Sequence, residues 1–166
     1  MSAPDPRQCW RTPPELWAKM SRRWDFYIDV AADSKSALCP EWFGPDHPAV
    51  YHRDGLTARW PYRAYCNPGF SGIAPWLEKA HGEVTYGYCD MAVVMTHVQT
   101  SARWFSDWAM RADEIIFLTP RVQFVPAPGI PSSTNSRDNM LVIYRRRPRN
   151  PPHPNFSVWN WRGGEK

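Results

Sequence analysis

The chain has 166 residues, 43% of them hydrophobic, with 20 lysines and arginines against 16 aspartates and glutamates, a formal charge of +4. That composition suits one domain able to bury a core, and it excludes a disordered chain; no apolar run approaches the roughly 20 residues of a membrane helix. The opening Met1-Ser2-Ala3-Pro4-Asp5-Pro6-Arg7 has no apolar stretch of the secretory kind, so a soluble, cytoplasmic protein is expected.

Residues 1–11 read as a short lead and residues 12–145 as the folded domain. Thr12-Pro13-Pro14-Glu15 opens a helix, with Thr12 as N-cap, Pro13 in the first turn and Glu15 completing a capping box. Leu16, Trp17 and Met20 form its apolar face, and Arg22 and Arg23 suit its C-terminal end. Phe26–Val30 reads as a buried strand that runs out at Asp33. An irregular stretch follows to about Pro48, with a short strand expected at 50–52 and another at 63–66.

A helix is expected from Gly72, because Ile73, Trp76, Leu77 and Ala80 share one face, with Gly82 as its C-terminal cap. Residues 91–95 read as a strand, 101–112 as a helix and 114–118 as a strand. A further strand is possible at 122–125. Residues 126–139 are rich in Pro, Ser and Asn and read as a loop before a last strand at 140–144. Residues 146–166 read as a basic, proline-rich tail without periodicity. No internal repeat is present.

Helices alternating with apolar strands indicate an α/β domain with a largely parallel sheet and helices on both faces. Ligands bind such sheets at the carboxyl ends of the strands. Two polar strand ends therefore become candidate sites, Asp29–Asp33 and Asn67–Ser71.

The four cysteines, Cys9, Cys39, Cys66 and Cys89, are too widely spaced for a zinc pattern, and the five histidines form none either. Buried, reduced thiols and no metal are expected. His97, just past a strand end, reads as a structural histidine. From residue 145 onward, Arg145, Arg146, Arg147, Arg149, Arg162 and Lys166 face only Glu165, and the rest of the chain is close to neutral. That end is either a phosphate-binding arm or a solubilising tail.

Asn67-Pro68-Gly69-Phe70 carries the most specific chemistry. An amine on adenine or cytosine is a weak nucleophile, because its lone pair is delocalised into the ring. A site that methylates it needs fixed acceptors for the two amine hydrogens, placed where positive charge develops. The Asn67 side-chain oxygen and the Pro68 carbonyl can be those acceptors. Proline restricts the backbone that aims them, and Phe70 can stack on a base drawn out of the duplex. Alone, the same four residues also describe an ordinary strand-to-helix turn.

The segment from Tyr65 to Ala80 resembles the motif IV region of phage-type DNA N6-adenine methyltransferases, which typically read Cys-Asn-Pro-Pro-Tyr-Ser followed by a helix with Trp and Lys-Ala. Trp10-Arg11-Thr12-Pro13 is similar to that family's Trp-x-Thr-Pro opening. Asp29-Val30-Ala31-Ala32 is similar to its Asp-Val-Ala-Ala segment. Asp54-Gly55-Leu56 with Trp60 matches the stretch ahead of motif IV. Phe117-Leu118 with Arg121 and Phe124 matches its Phe-Leu-x-x-Arg-x-x-Phe signature.

The resemblance implies a Rossmann-like fold that uses S-adenosylmethionine to methylate the N6 amine of adenine in DNA. Cytosine N4, RNA as substrate, or a DNA-binding homologue without turnover are the alternatives. It implies catalytic roles for Asn67, Pro68, Gly69 and Phe70. It sets Thr12, Pro13, Asp29, Ala31, Asp54 and Asn67 around the cofactor. Arg121, Arg137, Arg145, Arg146 and Arg147 are the expected DNA contacts. Gly69 and Phe70 stand where the family usually has Pro and Tyr, so a more relaxed loop and a slower reaction are expected. No stretch is long enough for a separate recognition domain, so recognition would fall to loops 44–53 and 126–139, with little sequence preference. Escape from host restriction is the purpose such a family implies.

Overall fold

The computed structural model describes residues 10–69, 71–129, 131, 134–146 and 153–163. Phe70, Arg147 and most of the lead lie outside the described residues.

Helix α1 spans Pro14–Trp24, with Leu16, Met20 and Trp24 on its buried side. Its cap is Pro13, and no side chain closes the first turn, so the capping box expected around Thr12 does not form. The Thr12 hydroxyl is engaged elsewhere, as shown below. The helix ends at Asp25, which takes a left-handed conformation (φ 50°) while its N–H donates to the Ser21 carbonyl.

Strand β1 is short, Ile28–Asp29. Beyond it lie β2 (Glu41–Trp42), β3 (Tyr62–Cys66), α2 (Ile73–Thr85) and β4 (Cys89–His97). Then come α3 (Arg103–Asp107), β5 (Glu114–Thr119), β6 (Asn139–Arg145) and β7 (Asn155–Asn160).

These strands form one seven-stranded sheet in the order β2-β1-β3-β4-β6-β5-β7. Only β6 runs against the others among the described strands, so the sheet is mixed, with parallel pairing everywhere except around β6.

Side chains alternate across the sheet with period two and feed two cores. Ala64, Cys66, Ala92, Val94, Val142 and Tyr144 face α2, where Ile73, Leu77, Ala80 and Val84 meet them. Tyr65, Met91, Val93, Met95, Leu141 and Ile143 face the opposite way, toward Leu16, Met20 and Trp24 of α1. Helices therefore cover both faces, as the alternating pattern implied.

Several local expectations are corrected. Residues 50–52 form a 3-10 turn, and the short strand lies earlier, at β2. The helix expected at 101–112 divides into α3 and a 3-10 turn, Ala109–Arg111, on either side of Trp108. Gly82 lies within α2, and the turn after the helix uses Gly87 instead, at φ 77°. Residues 122–125 contribute one bridge, Val125 to Arg11, rather than a strand.

The largest correction concerns the tail, because residues 155–160 complete the sheet as β7, parallel to β5. Phe156 stacks on Phe117 with ring centroids 6.2 Å apart. Trp161 is buried, and its indole N–H donates to the Pro120 carbonyl at 2.6 Å. An edge strand with one solvated face carries little apolar periodicity, so it reads poorly from sequence.

Candidate active site

The chain leaves β1 toward β2 on one side and then returns across β1 to β3 on the other. Such a reversal opens a crevice beyond the carboxyl ends of β1 and β3. Asp29 and Tyr65 pair across β1 and β3, so both strands release their chain at the same edge. A cleft of about 330 Å³ lies there. Both candidate strand ends contribute, with Asp29–Asp33 on one side and Asn67, Pro68 and Gly69 on the other.

Of the residues expected at the site, Thr12, Asp29, Ala31, Asp54, Asn67, Pro68 and Gly69 all line this cleft. Pro13 is not among the lining residues and stands as the helix cap.

Residues 10–12 reach the cleft because they are pinned on both sides. Arg11 exchanges two backbone hydrogen bonds of 2.9 Å with Val125, and α1 starts two residues after Thr12. The Thr12 hydroxyl is buried and lies 2.7 Å from the Tyr65 hydroxyl. The Asn67 side-chain N–H group donates to the Trp10 carbonyl at 3.3 Å and to the Thr12 hydroxyl at 3.2 Å. Burial holds the Tyr65 phenol well above its ordinary pKa, so it remains protonated.

Asp29 is 3% exposed and accepts from the backbone N–H of Leu38 at 3.2 Å and of Ala31 at 3.4 Å. Burial pushes its carboxyl pKa up to about 7, more than those two hydrogen bonds hold it down, and nearby Asp33 adds repulsion. Asp54 accepts from the Leu56 N–H at 2.9 Å in the turn that carries Gly55. The thiols of Cys39, Cys66 and Cys89 are free, buried and raised in pKa, as expected of inert cysteines.

Gly44, Gly55, Trp76 and Arg11 are four of the lining residues that went unassigned on sequence. Gly44 and Gly55 press on the turn after β1, where a Cβ would fall 1.7 Å from the Ala32 carbonyl oxygen and 2.0 Å from that of Val30. The close approach that a glycine-rich turn would supply within one segment is supplied here by glycines facing it. Trp76 lines the cleft from α2.

Arg11 is the fourth, and its buried Nε finds no partner among the described residues. A buried guanidinium atom left unpaired is costly; Arg11 also lines the cleft, where its charge suits an anionic ligand group. Asp-Gly in the 54–55 pair was a visible signal of close approach; Arg11, within Trp-x-Thr-Pro, carried none. Arg11→Met is expected to weaken binding of a carboxylate-bearing ligand by roughly 10-fold, the scale of one charge-assisted contact. Calorimetry with S-adenosylhomocysteine, which shares that carboxylate, checks this, and unchanged affinity rules the role out.

A second cavity, about 180 Å³, lies across Trp10 and is lined by His97, Phe124, Asn135 and Arg137. Burial and the nearby Arg137 lower the His97 pKa to about 4, so the imidazole is neutral at physiological pH. Arg121 lies on the same edge of the sheet and pairs with Asp138 at 2.7 Å. Arg145 and Arg146 do not join them. They sit where β6 ends beside the amino ends of β4 and β5, paired with Glu114 and Asp90 at 3.1 Å each. The sheet separates them from the cleft, because β6 is antiparallel to its neighbours.

Among the described residues, no group of three or more His, Cys, Asp or Glu could hold a metal, and no helix is long and apolar enough to cross a membrane.

The fold and this edge fit an α/β enzyme with a ligand cleft at its switch point. The sequence matches the family described as DNA N-6-adenine-methyltransferase (Dam) over residues 3–162, and the chain belongs to that family. A DNA N-6-adenine-methyltransferase of Haemophilus phage HP1 is 26% identical over 123 residues, which cover 72% of this chain and 66% of that protein. The matched stretch thus falls just short of two thirds of the relative's length. No solved structure matches.

Proposed function

We propose that this chain transfers a methyl group from S-adenosylmethionine to the N6 amine of adenine in DNA, with short or little sequence preference. The observation that carries the reading is the position of Asn67 and Pro68 on the wall of the switch-point cleft, next to Asp29. The family match and the phage relative's name support adenine N6 as the target.

The residues of the cleft suit the cofactor's chemistry. S-adenosylmethionine carries a carboxylate, an ammonium, a sulfonium and an adenosine, and when bound it supplies an electrophilic methyl group. Arg11, with its unpaired Nε, would hold the carboxylate. Asp29 and Asp54 would face the cationic and ribose portions. Trp76, Phe43 and Leu38 offer apolar surface for the adenine ring. Asn67 and the Pro68 carbonyl would accept from the target amine, favouring its tetrahedral, positively charged form. Phe70 would stack on the base. Gly69 leaves both acceptors in place, since they belong to the two residues before it.

DNA would lie against the carboxyl edge of the sheet. Arg137, beside the second cavity, and Arg121 are placed on that edge, whereas Arg145 and Arg146 are not. Replacing Arg121 and Arg137 together by Ala should weaken DNA binding roughly 10-fold at low salt and reduce the salt slope by about two. Replacing Arg145 and Arg146 should change affinity by less than about twofold, because their phosphate contacts would be absent. Filter binding across a salt series checks the order of these effects, and the reverse order would move the DNA to the opposite edge.

The function itself is tested by incubating unmethylated duplex DNA with labelled S-adenosylmethionine and identifying the labelled nucleoside by mass spectrometry. N6-methyladenine spread over many sequence contexts is expected. N4-methylcytosine, preferential labelling of RNA, or no label with intact DNA binding each overturns the reading.

A further inference from the structure

We propose that Thr12 is a positioning residue for the reaction, and that with Tyr65 it holds the Asn67 carboxamide in the orientation that presents its oxygen to the target amine. The inference rests on the methyl-transfer reading but adds a role that lies outside the motif IV loop.

A carboxamide has a donor side and an acceptor side, and a half-turn exchanges them. On the donor side, Asn67 Nδ2 faces two oxygens, the Trp10 carbonyl at 3.3 Å and Thr12 Oγ1 at 3.2 Å. A carbonyl oxygen can only accept. In the reversed orientation, Asn67 Oδ1 would confront it, acceptor against acceptor. Thr12 is the second constraint, and the buried groups behind it make its hydroxyl an acceptor too.

Thr12 Oγ1 lies 2.7 Å from the Tyr65 hydroxyl, which donates to the Met95 sulfur at 3.8 Å. Each hydroxyl has one hydrogen to give. The arrangement that uses every donor is therefore a one-way chain: Asn67 N–H to Thr12, Thr12 O–H to Tyr65, Tyr65 O–H to Met95. Both hydroxyls are buried, where a chain of this kind strengthens its own members.

The hydrogens in this chain point away from the loop, and Asn67 Oδ1 takes no hydrogen bond from any described residue. The oxygen is thus kept for the substrate. Thr12 gives up the capping bond that its place before α1 offered, and no other side chain closes that helix end.

The test compares Thr12→Val, Thr12→Ser and Tyr65→Phe. Valine keeps the shape and removes the hydroxyl. It should lower kcat roughly 10- to 100-fold, the range for losing one buried polar contact, with cofactor affinity changed by less than about threefold. Serine restores the hydroxyl and should recover most of that loss. Tyr65→Phe removes only the far acceptor and should fall between.

A readout independent of turnover is the Asn67 side-chain NH2 pair in nitrogen-15 NMR spectra, identified by its loss in Asn67→Ala. Its hydrogen exchange should be slow in the wild-type chain and in Thr12→Ser, and roughly 10-fold faster or more in Thr12→Val. Wild-type exchange or wild-type kcat in Thr12→Val overturns the positioning role. So does a serine variant as slow as the valine variant. If Thr12→Val weakens cofactor binding at unchanged kcat, Thr12 is a cofactor contact instead. Should the wild-type chain transfer no methyl group, the functional reading fails, and the NMR exchange still decides whether Thr12 orients the amide.

Discussion

Asn67→Ala is expected to lower the rate of methyl transfer by about 10²- to 10³-fold, the loss found when one preorganised hydrogen-bonding group is removed from a transition state. The reason lies in what the side chain does at each end. Its donor side is anchored on the Trp10 carbonyl and the Thr12 hydroxyl. In the proposed reaction its oxygen would be the acceptor that rewards charge developing on the target amine. Alanine removes that reward and leaves the Pro68 carbonyl to act alone.

Cofactor affinity should change by no more than about fivefold, because Asp29 and Arg11 are untouched and each charged contact outweighs a neutral one. Single-turnover transfer separates chemistry from product release, and calorimetry with S-adenosylhomocysteine reports the binding. A variant that transfers methyl groups within about threefold of wild type, less than one ordinary hydrogen bond contributes, removes Asn67 from the mechanism.

Asp29→Asn should gain stability on wild type as the pH rises and lose ligand binding. In the folded, ligand-free chain the Asp29 carboxyl has a pKa of about 7, against an ordinary value of 3.8. Between those values the folded state keeps a proton that the unfolded chain has released. Stability from this group is therefore full below about pH 4, falls as pH rises to about 7, and stays low above that. Each tenfold change in that proton equilibrium is about 1.4 kcal/mol, so the whole loss is at most roughly 4 kcal/mol.

Asparagine cannot ionise, but its single side-chain oxygen keeps only one of the two backbone hydrogen bonds, which reach different carboxyl oxygens of Asp29. Its ligand-free form should melt below wild type near pH 4 and gain on it as the pH rises to 8. It should also bind S-adenosylhomocysteine roughly 10-fold more weakly or worse, since the cationic end of the ligand loses its counter-charge. Melting temperatures across pH 4–8 decide the first part. Parallel curves for the two proteins would mean that Asp29 is already solvated or paired in the folded state.

The opposed effects have one cause. A carboxylate buried without a cationic partner destabilises the empty protein and prepares it for a cation. On the proposed reading the site would store in the fold what it recovers on binding, as desolvated groups at functional sites commonly do.

Much of the sheet could be read from the sequence. The runs at 91–95, 114–118 and 140–144 are apolar without interruption, and strands buried on both faces have that signature. They became β4, β5 and β6, each extended by one or more residues. The helix at Ile73 was legible because its buried face repeats at three and four residues. Short elements were less so: β1 lies within the longer strand expected at 26–30, whereas the two-residue β2 has no period to detect, and residues 41–42 became a strand only because β1 offered them an edge.

The candidate site divides the same way. Asn67 and Asp29 are visible because polar residues at the ends of apolar strands have few structural uses. Arg11 and Gly44 belong to the cleft through tertiary contact alone, brought there by the Val125 bridge and by the carbonyl of Ala32. Among the basic residues, sequence grouped Arg145 and Arg146 with Arg121 and Arg137 by charge. The reversal of β6 placed the two pairs at opposite edges of the sheet.

By itself, then, the sequence determined which segments are buried and which strand ends line the cleft, because burial and strand pattern are local properties of the chain. The tertiary structure decided what each polar group does there. Thr12 reads as a helix cap in isolation. In the proposed arrangement it acts on Asn67 because the core beneath α1 brings that helix and β3 together, and a hydroxyl has only one hydrogen to give.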